Sequence, residues 1–165
     1  MNLKVRLFGD PCLRKKATVV KEVGPSERML IQAMLKTMYE SKGIGLAAPQ
    51  VGIGQRIFVV DVGEGPRVFI NPRIIRKSGS AVMEEGCLSI PDVSVKVKRP
   101  EKVRVKYLDA DGLEHDENFE ELLARVIQHE NDHLNGKLIT DFASRGEMKD
   151  LKEKLDQLKT ISKND

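Results

Sequence analysis

The spacing of apolar residues along the chain predicts a helix, a run of strands and then two further helices. Apolar residues recur at helical intervals from an N-cap at Ser26 to Ser41. Gly43 follows directly, at a position where glycine commonly ends a helix. A second amphipathic helix is predicted over residues 120–134 and a third over residues 147–160.

The middle of the chain alternates apolar and polar residues, which is the pattern of strands with one buried face. The alternation is clearest at 93–97 and 103–107, and a continuous apolar run at 56–61 predicts a buried strand. Shorter strands are predicted at 68–70, 74–77, 81–83 and 113–119. Asn71-Pro72 is expected to end the first of these short strands. This order of elements indicates an α+β fold class.

Length and composition fit one ordinary globular domain over residues 1–165, with 40% hydrophobic and 32% charged residues. No apolar run reaches the roughly 20 residues of a transmembrane helix, and the first residues show no secretory or transit pattern. We therefore expect a cytoplasmic protein with no membrane partner, and a processed organellar protein is the alternative. The net charge of +3 is spread along the chain, so it gives no direct signal for nucleic-acid binding.

The strongest chemical signal is the segment His129-Glu130-Asn131-Asp132-His133. Residues four apart share one face of a helix, so two imidazoles can bind one metal ion there. The intervening glutamate can then accept a proton from water on that ion. Both histidines also continue the apolar stripe of the predicted helix, where a buried polar group needs a partner. The alternative is a solvated helix with two surface histidines.

Two histidines leave such a site incomplete, because catalytic zinc-type sites use three protein ligands and a water. Glu147 and Glu153 lie downstream, but both fit the solvated face of the third helix. Cys87, within Glu85-Gly86-Cys87-Leu88-Ser89, is the better candidate, because thiolates bind borderline metals. A lone cysteine is more often a small buried residue, and we interpret Cys12 in that way.

The segment Gly43-Ile44-Gly45-Leu46-Ala47-Ala48-Pro49-Gln50 lies between the first predicted helix and a strand. Its glycines and alanines allow another backbone to approach closely, so an extended peptide can lie along it. Gln50 ends the segment with a side-chain amide donor. The alternative is a tight turn whose small residues serve only packing.

Together, these three segments resemble the peptide deformylase family of the bacterial type. That family carries G-x-G-x-A-A-x-Q, E-G-C-x-S and Q-H-E-x-D-H segments in this order. Gly43–Gln50, Glu85–Ser89 and Gln128–His133 match them at every fixed position. The resemblance implies mostly antiparallel sheets packed around a central metal-binding helix, with an N-terminal and a C-terminal helix beside them. It also implies a hydrolase that removes the formyl group from the N-terminal formylmethionine of new polypeptides and releases formate.

By the same resemblance, Cys87, His129 and His133 hold one divalent metal ion. Fe²⁺ is the expected native ion, and Zn²⁺, Ni²⁺ or Co²⁺ are also possible. Metal-bound hydroxide would attack the formyl carbon, with Glu130 as the general base and then the general acid.

The resemblance also implies that the Gln50 amide and the backbone N–H of Leu88 stabilise the oxyanion of the reaction. Ile44 and Gly45 would pair with the peptide backbone. The candidates for an apolar pocket that holds the methionine side chain are Gly43, Leu88, Leu122, Val126 and the His129 ring. Besides Leu88 and His129, which also have other roles, the residues predicted to bind substrate are Gly43, Ile44, Gly45, Gly86, Leu122 and Val126.

Three polar residues of the motifs are predicted to support the fold, namely Glu85, Gln128 and Asp132. We expect Glu85 to pair with Arg99 on a neighbouring strand. Asp132 is expected to orient His133 or to cap nearby backbone.

The expected partners are N-formylmethionyl peptides and nascent chains, bound by a monomer. The C-terminal helix could contact the ribosome through Lys149, Lys152, Lys154 and Lys159, although a solvated helix is the interpretation we favour. Two other functions stay open. A metallopeptidase that cleaves internal peptide bonds would keep its metal after Cys87→Ala. A binding protein without activity would usually have lost Glu130 or a metal ligand, and this sequence has lost neither.

Overall fold

Three helices and seven strands form the fold in the computed structural model, which describes residues 1–164. The helices are α1 (Pro25–Glu40), α2 (Glu121–Leu134) and α3 (Arg145–Lys163). The strands are β1 (Gly45–Ala47), β2 (Ile57–Val60), β3 (Arg67–Ser78), β4 (Ala81–Cys87), β5 (Ile90–Arg99), β6 (Lys102–Leu108) and β7 (Glu114–Glu120). The predicted α+β class is confirmed. None of these helices is long and apolar enough to cross a lipid bilayer.

The strands form two antiparallel sheets. One has five strands in the order β1-β2-β3-β6-β7, and the other is the hairpin of β4 and β5. Helix α1 covers one face of the five-stranded sheet and α2 covers the other. Strand β2 shows why: Ile57 and Val59 pack towards α1, whereas Phe58 and Val60 pack towards α2. The continuous apolar run of β2 therefore reflects a strand that is buried on both faces.

Helix α3 covers the β4–β5 hairpin. Leu155 and Leu158 of α3 pack with the inward valines of β5 in a separate apolar cluster. Two of its lysines contact the rest of the chain. Lys154 donates to the Asp92 carbonyl (2.9 Å), and Lys159 lies over the Phe8 ring at 5.6 Å from its centroid.

The expected break at Asn71-Pro72 is wrong, because β3 continues through it. The pairing of β3 with β6 shifts register between Ile70 and Arg73, so the two residues form an irregularity within one strand. Asn71 has a positive φ of 52°, and its side-chain amide both accepts from and donates to the Val20 backbone at 2.8 Å. These contacts hold the strand together where the sequence suggests an end.

Two further boundaries differ from expectation. Helix α1 begins at Pro25 with Gly24 as its N-cap, in place of the predicted Ser26, because Glu27 accepts from the Gly24 backbone N–H (2.9 Å). Strand β1 was not predicted at all. It pairs only with β2, and its three residues, Gly45–Ala47, include no β-branched side chain.

Candidate active site

A cleft of about 470 Å³ opens between β1, the end of β4 and the start of α2. Most of the residues predicted for the site line this cleft: Gly43, Ile44, Gly45, Gln50, Gly86, Cys87, Leu88, Leu122, Val126, His129 and Glu130. The remaining one, His133, is buried beside Cys87. The fold thus brings together residues from three separate segments of the sequence.

Cys87, His129 and His133 converge on one point. Their ligand atoms all lie within 4.8 Å of one another, and Cys87 Sγ is 3.4 Å from His133 Nε2. Ligand atoms that share a tetrahedral ion are separated by roughly 3.5 Å. A thiol and two imidazoles form a donor set that suits Zn²⁺ and similar divalent cations. The residues present therefore fit a divalent metal ion.

The two histidines differ in their surroundings. His129 Nδ1 lies 3.0 Å from Glu85 Oε1, which leaves Nε2 for the shared point. Burial disfavours a charged His129, but Glu130, Cys87 and Glu85 together hold its pKa well above the ordinary value in the metal-free chain. Burial, with the positive His129 and Arg99 nearby, holds the pKa of His133 well below the ordinary value. His133 is therefore neutral, the form in which an imidazole binds a metal.

Glu85 connects His129 to two arginines. Its Oε2 accepts from Arg99 Nε and from Arg125 Nη1, both at 2.6 Å, and its Oε1 accepts from Arg99 Nη2 at 2.9 Å. Burial opposes a charged carboxylate, but hydrogen bonds from His129 and Arg99 bring the pKa of Glu85 to about 2. The predicted pairing of Glu85 with Arg99 is confirmed.

The role of Arg125 was missed, although the sequence carried a signal for it. Arg125 lies one turn before His129 on the same face of α2, where the apolar pattern predicts burial. A buried arginine requires an acidic or carbonyl partner.

Gln128 and Asp132 support the fold, as predicted. Gln128 donates to the Pro100 carbonyl at 2.9 Å, which ties α2 to the segment after β5. The Asp132 carboxylate accepts from Arg99 at 2.8 Å. Its contact is therefore with the β5 arginine, and the expectation that it orients His133 is not met.

Glu130 is buried at the base of the cleft. Its Oε2 is 3.9 Å from His129 Nε2, and its buried Oε1 has no hydrogen-bond partner among the described residues. Burial raises the pKa of Glu130 to about 7, although the positive charges of His129 and Arg99 oppose the shift. A carboxyl group that titrates near neutral pH is suited to accept a proton and then to return it.

The Gln50 side chain is held at both ends. Its Oε1 accepts from the Ala47 backbone N–H at 2.9 Å, and its Nε2 donates to Ser89 Oγ at 3.1 Å. The same Nε2 lies 3.6 Å from Cys87 Sγ. Leu88 lies in the two-residue turn that joins β4 to β5, next to Cys87. One predicted oxyanion donor thus lies beside the Cys87 thiol, and the other belongs to the residue that follows Cys87 in the chain.

The chain is similar to known peptide deformylases. Residues 2–149 match the family model described as polypeptide deformylase. A peptide deformylase from Clostridium botulinum is 51% identical over 137 residues, which cover 83% of this chain and 93% of the relative.

Solved structures show the same similarity. The crystal structure of peptide deformylase from Thermotoga maritima has 48% sequence identity and a TM-score of 0.85, over 87% of this chain and 99% of that one. A peptide deformylase from Legionella pneumophila is 39% identical with a TM-score of 0.91, over 100% of this chain and 99% of that one.

Proposed function

The chain belongs to the polypeptide deformylase family, and from that premise we propose that it removes the formyl group from N-terminal formylmethionine by metal-dependent hydrolysis. Members of this family are enzymes that act on newly made polypeptides, and this chain is one of them. One observation carries the metal-dependent mechanism. The thiol of Cys87 and two imidazoles converge beside the buried carboxyl group of Glu130, inside a cleft.

Cys87, His129 and His133 would hold the ion. A divalent cation bound there supplies Lewis acidity, which makes water a stronger nucleophile near neutral pH. We take Fe²⁺ as the native ion and Zn²⁺, Ni²⁺ or Co²⁺ as possible replacements, since the same donor set accepts each of them.

Glu130 moves the proton. Its carboxylate takes a proton from the attacking water, and the oxygen of that water bonds to the formyl carbon. The C–N bond then breaks, and Glu130 returns the proton to the departing nitrogen. The products are formate and a free amino terminus. The buried position and near-neutral pKa of Glu130 support both proton transfers.

Gln50 and Leu88 stabilise the oxygen that becomes negative when the formyl carbon turns tetrahedral. Gln50 donates through Nε2 and Leu88 through its backbone N–H. The support for Gln50 is its restrained amide, which is hydrogen-bonded at both ends and has its nitrogen 3.6 Å from Cys87 Sγ, so a donor is fixed beside the proposed metal ligands.

The peptide lies along the free edge of β1. Strand β1 is at the edge of its sheet, and the backbone of Ile44 and Gly45 can pair with an extended peptide as an added strand. Gly86 lines the cleft at the end of β4. The methionine side chain occupies the part of the cleft lined by Gly43, Leu88, Leu122, Val126 and the His129 ring. Recognition then depends mainly on peptide backbone and on the first side chain.

The proposal extends to the cellular setting. The resemblance is to the bacterial type of the family, and bacteria make formylated polypeptides in the cytoplasm, so we place the enzyme there, acting as a monomer and as a single catalytic domain on N-formylmethionyl peptides and nascent chains. Contact with the ribosome through α3 has less support, because Lys154 and Lys159 already contact their own chain.

The test is formate release from formyl-Met-Ala-Ser by protein purified without oxygen, with metal content measured on the same sample. We expect about one metal per chain and formate release that Glu130→Gln lowers to a small residual rate without loss of metal. Cys87→Ala should lose the metal. If Cys87→Ala keeps it and an unformylated peptide is cleaved internally, the metallopeptidase function replaces this one. Reconstituted protein that binds metal but releases nothing would indicate a binding protein.

A further inference from the structure

A single guanidinium links the histidine helix to both strands of the β4–β5 hairpin. Arg125 of α2 donates through Nη1 to Glu85 Oε2 (2.6 Å) and to the Val97 carbonyl (3.0 Å). Its Nη2 donates to the Ala81 carbonyl at 2.8 Å. Glu85 and Ala81 belong to β4 and Val97 belongs to β5. The side chain is buried, with 8% of its surface exposed.

This link crosses a division in the core. Helix α2, which carries His129 and His133, packs its apolar face on the five-stranded sheet. Cys87 ends β4, whose hairpin packs with α3 in a different apolar cluster. The three proposed metal ligands therefore come from two parts of the fold, α2 and the β4–β5 hairpin, which pack in different apolar clusters. Polar contacts between α2 and the hairpin must set the distance from the thiol to the imidazoles.

Arg125 and Arg99 share Glu85 but make different second contacts. Arg99 binds Asp132, a side chain of α2, whereas Arg125 binds the fixed backbone of the hairpin. Loss of Arg125 would leave the Ala81 and Val97 carbonyls and one carboxylate oxygen without this donor. Glu85 would then be held by Arg99 alone, and its position beside His129 Nδ1 would be less constrained.

We propose that Arg125 is a positioning residue for the metal site, acting through Glu85 and the hairpin backbone to hold Cys87 and His129 at binding distance. The inference rests on the proposed function in one respect, which is that Cys87, His129 and His133 hold a metal. Removal of a group that hydrogen-bonds directly to a metal ligand, as Glu85 does to His129, typically changes metal affinity by about 10- to 100-fold, and Arg125 acts through that group, so we expect the lower end of this range.

The decisive measurement is Co²⁺ binding to metal-free, folded protein, followed by the thiolate-to-cobalt absorption band. Arg125→Met keeps the length of the side chain and removes every donor. Arg104→Met is the matched control, since Arg104 also pairs with a carboxylate through two nitrogens (2.8 Å each to Asp116) but has 36% of its side chain exposed. We expect Arg125→Met to bind Co²⁺ at least about 10-fold more weakly than wild type, with Arg104→Met unchanged. Circular dichroism before each titration confirms that the variant is folded.

Action through Glu85 is tested in a double variant. In the Glu85→Gln background, Arg125→Met should weaken Co²⁺ binding by no more than about twofold. The reason is that the carboxylate through which Arg125 acts on His129 is already absent. Arg125→Lys keeps the charge but cannot reach all three acceptors, and we expect a loss of about threefold. If Arg125→Met does not fold, the Lys variant decides the matter.

Three results would overturn the inference. In the first, Arg125→Met, or Arg125→Lys if only that variant folds, binds Co²⁺ as tightly as wild type. In the second, the effects of Glu85→Gln and Arg125→Met on affinity simply add. In the third, the wild-type chain takes up no Co²⁺ at all, which would overturn the proposed function as well. Only the third result contradicts both the role of Arg125 and the proposed function. The first two contradict the role of Arg125 alone.

Discussion

Gly45 and Glu130 are in direct contact: a Cβ on residue 45 would stand 2.5 Å from Glu130 Oε2. It would also stand 2.9 Å from Val126 Cγ1, so the space on both sides of the position is filled. The strand edge proposed to bind the peptide and the carboxylate proposed to move the proton therefore pack as one unit. The glycine is required by this close approach, since any side chain there must displace the carboxylate.

Gly45→Ala should lower kcat by about 10- to 100-fold without loss of metal. The added methyl group displaces the Glu130 carboxylate. Moving a catalytic group by about 1 Å or less is enough to lower the rate by this factor. The measurement is kcat and KM for formyl-Met-Ala-Ser, with metal content on the same protein. Gly43→Ala is the matched control, because its Cβ would meet the Leu88 side-chain tip at 2.7 Å, which can rotate away. Gly43→Ala should act mainly on KM, and equal losses of kcat in both variants would contradict the argument.

Much of the metal group is predictable from local geometry. Helical spacing alone places His129 and His133 on one face, and the apolar stripe that they continue predicts their burial. Cys87 is different, because it lies on a hairpin remote in sequence. Its approach to the histidines follows from tertiary packing. Ligand chemistry made Cys87 a candidate, and the resemblance of the three segments to a family supported it. The pairing of Glu85 with Arg99 was predicted from the need of a charged motif residue for a partner.

The failures also have physical causes. None of the three residues of β1 is β-branched or aromatic, so neither propensity nor alternation marks the strand, and its pairing with β2 defines it. Asn71-Pro72 carries strong turn chemistry, but contacts with Val20 make it a bulge inside β3. Both outcomes depend on partners distant in sequence, which a local pattern does not contain.

Gln50→Ala should reduce kcat by about 10²–10³-fold, the usual cost of removing one oxyanion donor. KM should change little, because the donor acts on charge that develops during the reaction. The comparison is with Ser89→Ala, which keeps the Gln50 amide but removes its partner at 3.1 Å. The Ala47 contact still restrains Gln50 there, so we expect only a few-fold loss. A Ser89→Ala variant as poor as Gln50→Ala would show that the pair acts structurally.

The pH dependence of kcat/KM should follow Glu130. A general base works only when deprotonated, so activity should rise with pH and level off above the pKa of Glu130. Burial raises that pKa to about 7 in the metal-free chain, and a bound cation favours the carboxylate, so the midpoint should lie below pH 7. The test is a kcat/KM profile for wild type and for the residual activity of Glu130→Gln. A rising limb with the same midpoint in Glu130→Gln would assign the titration to another group.

Leu122→Trp should raise KM for formylmethionyl peptides several-fold with a smaller effect on kcat. Leu122 lines the cleft and 43% of its surface is exposed. The larger tryptophan side chain therefore narrows the proposed methionine pocket without entering the core. The control is Leu113→Trp. Leu113 is 62% exposed and lies in the turn between β6 and β7, outside the residues that line the cleft. An unchanged KM in Leu122→Trp would remove Leu122 from the pocket.

His115 should make a small, pH-dependent contribution to stability. A hydrogen bond with Asp109 (2.7 Å) raises the pKa of His115 above its ordinary value, and Glu117 at 3.4 Å adds to the effect, although burial opposes it. Because the folded-state pKa is raised, this stabilisation is complete below the unfolded-state pKa of about 6.5. It is lost as the pH rises through the folded-state pKa.

His115→Phe separates that charge from the ring, since phenylalanine can keep the stack on Tyr107, whose centroid lies 5.0 Å away. The measurement is the free energy of unfolding in urea for both proteins between pH 5.5 and pH 9. Subtracting one from the other cancels the titration of every group that they share. Because the pair is partly exposed, we expect the difference at low pH to exceed that at high pH by about 0.5 kcal/mol or less. A difference that stays constant, or that grows with pH, would mean that the ion pairs of His115 contribute nothing and that the ring acts through packing alone.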